Sequence, residues 1–139
     1  MKSYEIIEHT ADIGIRVKGK DLRELFRNAA LAMFDLIATR LKESKSPDKE
    51  KILVKIKSDN LEELFVNWLN ELLSLSSVKE KIFCEVSFKN LDKNSLEAEV
   101  VGCALMNYKI ESEIKAATYH QLQLREEQSG WQAEVIFDV

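Results

Sequence analysis

The sequence predicts an α+β fold in which two amphipathic helices pack against a largely antiparallel β-sheet. Two stretches in the first 80 residues carry apolar residues at helical spacing, whereas almost everything after residue 80 alternates apolar and polar residues as strands do. Short turns join the later strands, and strands joined in this way pair antiparallel. A chain of 139 residues, 45% of them apolar and 32% charged, suits one domain, residues 1–139, that buries about 70% of the surface of its unfolded chain.

The two helices belong to strand-helix units of similar design. Each helix opens with the pattern [DN]-L-x-E-L-F-x-N, once at Asp21 and again at Asn60. Asp21 with Glu24, and Asn60 with Glu63, have the spacing of a capping box, in which the first side chain accepts from a free N–H of the first turn. The pattern predicts a βα quasi-repeat, which either an internal duplication or two convergent amphipathic helices would explain. The apolar stripes are Leu22, Leu25, Phe26, Ala29, Met33 and Ile37 in the first helix and Leu61, Leu64, Phe65, Trp68, Leu72 and Leu75 in the second.

Loops and strands follow from turn residues and alternation. Residues 38–51 contain the single proline, Pro47, among serines and charged residues, which predicts a loop. After residue 80, strands are predicted on both sides of a turn at 91–94. The final runs, 112–126 and 131–139, are predicted as two strands joined by a turn at "EQSG".

Strand alternation assigns each side chain to one face of the sheet. Asp12 and Asp138 both fall on faces opposite to the apolar rows of their strands. In the strand before the last, His120 falls on the inner, apolar face, and Lys115 and Tyr119 fall on the other face. The side chains expected to be nearly fully buried are Phe26, Phe34, Phe65, Trp68, Val86, Val100, Leu122, Val135 and Phe137.

Composition excludes several classes of protein. No run of about 18 apolar residues is present, and the first residues lack the apolar core of a signal peptide, so no membrane contact and a cytoplasmic location are expected. The net charge of -4 disfavours direct, high-affinity binding of nucleic acid. Cys84 and Cys103 lie in strand-like runs outside any C-x-x-C pair, and we interpret them as buried, reduced cysteines, with a disulfide as the alternative.

The residues alone do not identify a reaction. No P-loop, G-x-G-x-x-G, H-E-x-x-H or G-x-S-x-G motif is present. The simplest interpretation makes Asp12 and His9 turn or strand-start residues, Asp138 an exposed terminal acid and His120 a hydrogen-bonded core histidine. At this level the sequence predicts a small α+β domain with a hypothetical acidic site.

Five stretches in the right order closely resemble the archease family: "EHTADIGIRVKG", "LRELFRNAALAMF", "LFVNWLNELLSL", "EIKAATYH" and "VIFDV". The resemblance covers nearly the whole chain and implies a compact α+β fold without an enzyme activity of its own. Archeases are accessory proteins of the GTP-dependent RNA-splicing ligase that joins 3′-phosphate or cyclic-phosphate ends to 5′-hydroxyl ends. They promote guanylylation of the ligase and its multiple turnover, and they can broaden its nucleotide use.

The resemblance also implies a metal site formed by Asp12, Asp138 and a main-chain or terminal oxygen of Val139. Such hard oxygen donors favour Ca²⁺, Mg²⁺ or Mn²⁺, with Ca²⁺ the expected ion in a crystal. His9 is a candidate to orient Asp12 as a hydrogen-bond donor. Further candidates for supporting the site or facing the partner are Lys115, Tyr119 and His120.

Three hypotheses of different classes follow. The leading one is a metal-binding activator of the RNA ligase, with RNA contacted only through the ligase. The second is a chaperone or modulator of RNA-processing or RNA-modifying enzymes, which would use exposed apolar surface. The third is a metal-dependent hydrolase or nuclease, which would need more ligands and a base beside the metal, and the sequence offers neither.

Overall fold

The computed structural model describes residues 4–8 and 12–139. Its two helices and antiparallel sheets confirm the predicted α+β class. The helices are α1 (Leu22–Ile37) and α2 (Leu61–Lys79). The strands are β1 (Tyr4–Glu8), β2 (Ile13–Gly19), β3 (Ala38–Arg40), β4 (Lys49–Lys57), β5 (Lys81–Leu91), β6 (Ser95–Ala104), β7 (Tyr108–Ile110), β8 (Ala116–Ala117), β9 (Gln123–Glu127) and β10 (Gly130–Asp138).

Five of these strands form the sheet that carries the candidate site. Its order is β1-β2-β10, and the other edge of β10 pairs with both β8 and β9. The strands β4, β6 and β5 form a second sheet in that order, and β3 pairs with β7. β10 is therefore an interior strand of this sheet. Through β10, the last part of the chain pairs with β2, which lies near the beginning of the chain.

Both helices begin at the predicted caps. The Asp21 carboxylate accepts from the Glu24 N–H at 2.9 Å, and the Asn60 side chain accepts from the Glu63 N–H at 2.9 Å. In both helices the glutamate carboxylate reaches back to the N–H one residue before the cap. The two units thus share their local geometry, although β2 and β4 belong to different sheets. Within residues 4–8 and 12–139, no helix is both long and apolar enough to cross a membrane.

The apolar stripes of the helices and the inner faces of the sheets form one hydrophobic cluster. Phe26 and Phe65 meet edge to face with ring centroids 5.2 Å apart, and the Trp68 indole N–H donates to the Phe26 carbonyl at 3.0 Å. Of the residues predicted to be buried, all are buried except Leu122, which is only partly covered.

The run 112–126 is not one strand, and this corrects two predictions. It forms β8, a turn and β9, and the turn places Gln121 in the left-handed region with φ 51°. The Leu122 N–H donates to the Tyr119 carbonyl at 3.1 Å across this turn. Because the turn breaks the alternation, His120 is exposed instead of lying on the inner face, and Leu122 lies at the edge of the core.

The predicted loop at 38–51 is shorter than expected. Its first three residues form β3, which pairs with β7, and β4 begins at Lys49. The buried side chain of Asn107 holds the loop by accepting from the N–H groups of Lys45 and Ser46 and donating to the Ser46 carbonyl. The loop is therefore fixed by a buried amide that the sequence pattern did not reveal.

The interpretation of two reduced cysteines is wrong, because Cys84 and Cys103 form a disulfide. β5 pairs with β6 so that Ile82 lies opposite Cys103, and an irregularity between Phe83 and Glu85 adds Cys84 as an extra residue. A bulge of this kind redirects a side chain from the face that alternation would assign. The Cα atoms of the two cysteines lie 6.4 Å apart, a separation that a disulfide can span.

The turn between β5 and β6 predicts a local dependence on pH. Main-chain N–H groups of Asn94 and Ser95 donate to the Asp92 carboxylate and lower the pKa of that carboxyl below its usual value. A carboxyl whose pKa is lowered by folding stabilises the turn at pH values above its unfolded pKa of about 4. This stabilisation is lost as pH falls through the lower pKa of the folded state. We expect the amide exchange protection of Ser95, measured by NMR, to drop below about pH 4 and to be low at all pH values in Asp92→Ala.

Candidate functional site

Asp12 and Asp138 occupy neighbouring positions at one end of the five-stranded sheet. The outermost pair in the register of β2 with β10 joins Ile13 to Phe137, and each aspartate lies one residue beyond that pair. Directly opposite residues of antiparallel strands point to the same face, with Cα atoms about 4.5–5.5 Å apart. The pairing of β2 with β10 therefore brings the two aspartate positions side by side, and joint binding of a cation by their carboxylates stays a prediction.

The exposure of the two strands agrees with the predicted parity. Ile15 and Phe137 are fully buried, whereas Asp12 is half-buried and Asp138 is exposed. Both aspartates thus leave the core face of the sheet, where a carboxylate would lose its hydration.

β8 flanks the aspartate pair on the side opposite to β2. Ala116 pairs with Asp138, and the Lys115 N–H donates to the Asp138 carbonyl at 2.8 Å. Thr118 fastens the other end of β8, since both its N–H and its hydroxyl donate to the Ile136 carbonyl, at 3.0 and 2.8 Å. Asp138 therefore lies between Asp12 on one neighbouring strand and Lys115 on the other.

The side chains of Lys115, Tyr119 and His120 are all exposed along β8 and the turn that follows it. The His120 N–H donates to the Thr118 hydroxyl at 3.3 Å, which fixes the main chain of the turn. Three residues that the sequence placed on two faces of one strand are thus all exposed. Lys115 lies next to Asp138, whereas Tyr119 and His120 lie beyond Thr118, which is bonded to Ile136.

The two remaining candidate residues are Val139 and His9. Val139 is 44% exposed and follows β10 directly, so its main-chain oxygen lies next to Asp138 in the chain. His9 lies outside the described residues. Among the residues that the structure does describe, no group of three or more His, Cys, Asp and Glu side chains is arranged to hold a metal ion.

The two aspartates differ from the acids of the other large sheet. There, Glu85, Glu97 and Glu99 each form an ion pair with a lysine of β4. In the described part of the chain, no lysine, arginine or histidine forms an ion pair with Asp12 or Asp138. Two neighbouring carboxylates without a cation repel each other, and a divalent cation relieves that repulsion.

A hollow of about 310 Å³ lies on the same side of the sheet as the aspartate pair. Its lining includes Ile136, two residues before Asp138, and Gln121 and Leu122 of the turn. A second hollow of about 360 Å³ lies at the opposite end of β2, beside Gly19. The charged side chains that line it are Glu5, Arg16, Lys18, Lys20, Glu24 and Glu127. Three of these side chains are acidic and three are basic, so their formal charges cancel.

The sequence did not single out Asn70, a half-buried residue of α2 whose side chain contacts the main chain of β8. Asn70 lies between positions of the apolar stripe, and a single polar residue there carries no signal in the sequence pattern. Only the packing of α2 against β8 reveals it.

Comparisons with known proteins identify relatives that match nearly the whole chain. Residues 4–139 match the model of the archease protein family. The protein archease of Methanosarcina barkeri is 40% identical over 144 residues, which cover 99% of this chain and 97% of that protein. The protein archease of Pyrococcus abyssi is 37% identical over 145 residues, covering 100% of both chains.

Two solved structures share the fold. The solution structure of Methanobacterium thermoautotrophicum protein 1598 has a TM-score of 0.76 at 27% identity and covers 100% of both chains. The crystal structure of a Thermotoga maritima protein, described as an archease and possible chaperone, has a TM-score of 0.66 at 24% identity and covers 97% of this chain and 96% of that one. Because the family model and the full-length relatives all agree, this chain belongs to the archease family.

Proposed function

We propose that this protein is a cation-binding activator of the GTP-dependent RNA ligase that joins 3′-phosphate and 5′-hydroxyl RNA ends. In this proposal it promotes guanylylation of the ligase, allows multiple turnover and broadens the range of nucleotides that the ligase accepts. It performs no reaction alone and contacts RNA only through the ligase, in the cytoplasm. The observation that carries the proposal is the register that puts Asp12 next to Asp138 in a chain of the archease family.

The donor set suits a hard divalent cation. The carboxylates of Asp12 and Asp138 and the main-chain oxygen of Val139 are all oxygen donors, which favour Ca²⁺, Mg²⁺ or Mn²⁺ over softer ions. Ca²⁺ takes about 6–8 oxygen ligands and Mg²⁺ about six, so these residues fill only part of the coordination shell. Phosphate oxygens or ligase residues can fill the remaining positions, so the cation can be bound jointly by this protein and the ligase.

The roles of the residues follow from their positions. Asp12 and Asp138 would hold the cation, and the Lys115 N–H fixes the main chain of Asp138 from the other side. Lys115 is exposed beside Asp138 and Tyr119 is exposed in the turn after β8, and both would face the ligase or a phosphate. When bound, a divalent cation supplies positive charge that offsets the negative charge of a nucleotide triphosphate.

A turnover assay tests the proposal. We expect the native protein, at one tenth of the ligase concentration, to raise the number of ligation cycles per ligase, because an activator that dissociates acts repeatedly. Asp12→Ala is expected to lose this stimulation. Asp48→Ala is the matched control, since it removes an exposed carboxylate from the loop before β4. Full stimulation by Asp12→Ala would contradict the role of the aspartate pair and move the functional surface to Lys115, Tyr119 and His120.

A chaperone-like role is the second candidate, and one observation favours it. Leu105, Met106 and Ile110 are 36%, 57% and 55% exposed in one short stretch, which consists of the 3-10 turn Leu105–Asn107 after β6 and the strand β7. Exposed apolar side chains close together are typical of surfaces that bind other proteins. A double variant, Met106→Ser with Ile110→Ser, that loses stimulation while Asp12→Ala retains it would favour this role.

A further inference from the structure

β8 is a two-residue edge strand whose outer side needs a hydrogen-bonding partner. Thr118 donates to Ile136 of β10, so the main-chain groups of the preceding residue, Ala117, point away from β10. Ala117 is only 4% exposed. A buried N–H and a buried carbonyl without partners would each destabilise the folded chain.

Asn70 of α2 supplies both missing partners. Its Oδ1 accepts from the Ala117 N–H at 2.7 Å, and its Nδ2 donates to the Ala117 carbonyl at 3.1 Å. One side-chain amide thus takes the place that a neighbouring strand would occupy. β8 is held on both sides, by β10 on one edge and by α2 on the other.

The clamp acts on the residues beside the aspartate pair. Lys115 and Ala116 immediately precede Ala117, and they meet Asp138 through the N–H of Lys115 and the pairing of Ala116. Without Asn70, β8 would be attached to β10 along only a few residues. The position of the Asp138 main chain, and the direction in which Lys115 leaves the sheet, would then be less restricted.

We propose that Asn70 is a positioning residue that sets the geometry of the cation site by clamping β8 against β10. This inference rests on the proposed function, because it assumes that Asp138 binds a cation. Residues that orient metal ligands without touching the metal typically contribute 10–100-fold to affinity. We therefore expect Asn70→Ala to weaken Mn²⁺ binding by about tenfold.

Two variants separate positioning from a general loss of stability. Asn70→Ala removes both hydrogen bonds to Ala117. Asn70→Asp keeps the size of the side chain and one acceptor, but it sets a carboxylate oxygen against the Ala117 carbonyl. An added negative charge near a cation site would by itself strengthen cation binding, so weaker Mn²⁺ binding by Asn70→Asp is evidence for the clamp.

Asn67→Ala is the matched control, because Asn67 lies one turn earlier on α2 and donates to the Ser58 hydroxyl, away from β8. The measurements are amide exchange of Lys115 and Thr118 in the metal-free protein, the Kd for Mn²⁺ alone by calorimetry, and the concentration that gives half-maximal stimulation of the ligase. In both Asn70 variants we expect faster exchange and a raised Kd, and we expect the half-maximal concentration to rise more than the maximal rate falls. Asn67→Ala should resemble the native protein.

The outcomes distinguish the two proposals. If the native protein binds Mn²⁺ and both Asn70 variants bind it equally well, the positioning role is wrong while the cation-binding activator stands. If the native protein does not bind Mn²⁺, or Asp138→Ala stimulates the ligase fully, the proposed function fails and the positioning role falls with it.

Discussion

Asp138→Ala is expected to abolish stimulation of ligase guanylylation while leaving the metal-free protein as stable as the native one. The carboxylate is exposed and forms no ion pair with any described residue, so its removal should change the free energy of unfolding by less than about 0.5 kcal/mol. Relief of repulsion from Asp12 would shift that small change toward stabilisation. Under the proposed function, stimulation is lost because one of the two carboxylates that would hold the cation is gone.

Thermal melts with and without Mn²⁺ measure how much a bound cation stabilises the native protein and the variant. A cation at a hundred times its Kd stabilises the native protein by about 2.7 kcal/mol. For a chain of this length that gain corresponds to roughly 10 °C in melting temperature. Asp138→Ala should lose most of the gain. Val139→Ala should keep it, since the substitution leaves the main-chain oxygen in place. A variant that loses the gain and still supports guanylylation would show that cation binding is incidental to activation.

Phe65→Ala is expected to lower the free energy of unfolding by about 3–5 kcal/mol. Phe65 is fully buried in α2 and meets Phe26 edge to face, so the substitution removes both apolar burial and an aromatic contact and leaves a cavity. The melting temperature should fall by roughly 10–20 °C. Below the transition, stimulation of the ligase per folded molecule should equal that of the native protein.

Val78→Ala provides the comparison on the same helix. Val78 is 76% exposed near the end of α2, and its truncation should change stability by less than about 0.5 kcal/mol. Denaturant unfolding of both variants measures the difference. A small effect of Phe65→Ala would mean that the cavity collapses and that packing around Phe26 is more adaptable than a close-packed core allows.

The sequence predicts the helices well because their signals are local. The caps at Asp21 and Asn60 and the apolar stripes lie within a few turns of each other, and tertiary packing agrees with them. The parity of Asp12 and Asp138 could be derived in the same way. That β2 pairs with β10 could not, because more than a hundred residues separate the two strands and alternation carries no information about partners.

The errors arose where single residues interrupt the alternation. Gln121 adopts a left-handed conformation that glycine and asparagine favour, and a glutamine gives no sequence signal for it. Because of this turn, His120 lies at the surface and Leu122 lies at the edge of the core. The irregularity at Cys84 similarly turned a side chain toward Cys103. Asn70 was missed for a different reason, since its partners are main-chain atoms 47 residues away.

The central position of β10 has a consequence for the order of folding. During synthesis, α1, α2 and the β4-β6-β5 sheet can all form before β10 leaves the ribosome, whereas the edge of β2 opposite to β1 must wait for β10. Contacts of such long sequence separation form slowly. A nascent or truncated chain without β10 would expose an unpaired edge of β2 and have no Asp138 beside Asp12, so the proposed capacity to activate a partner would arise only after β10 has been synthesised.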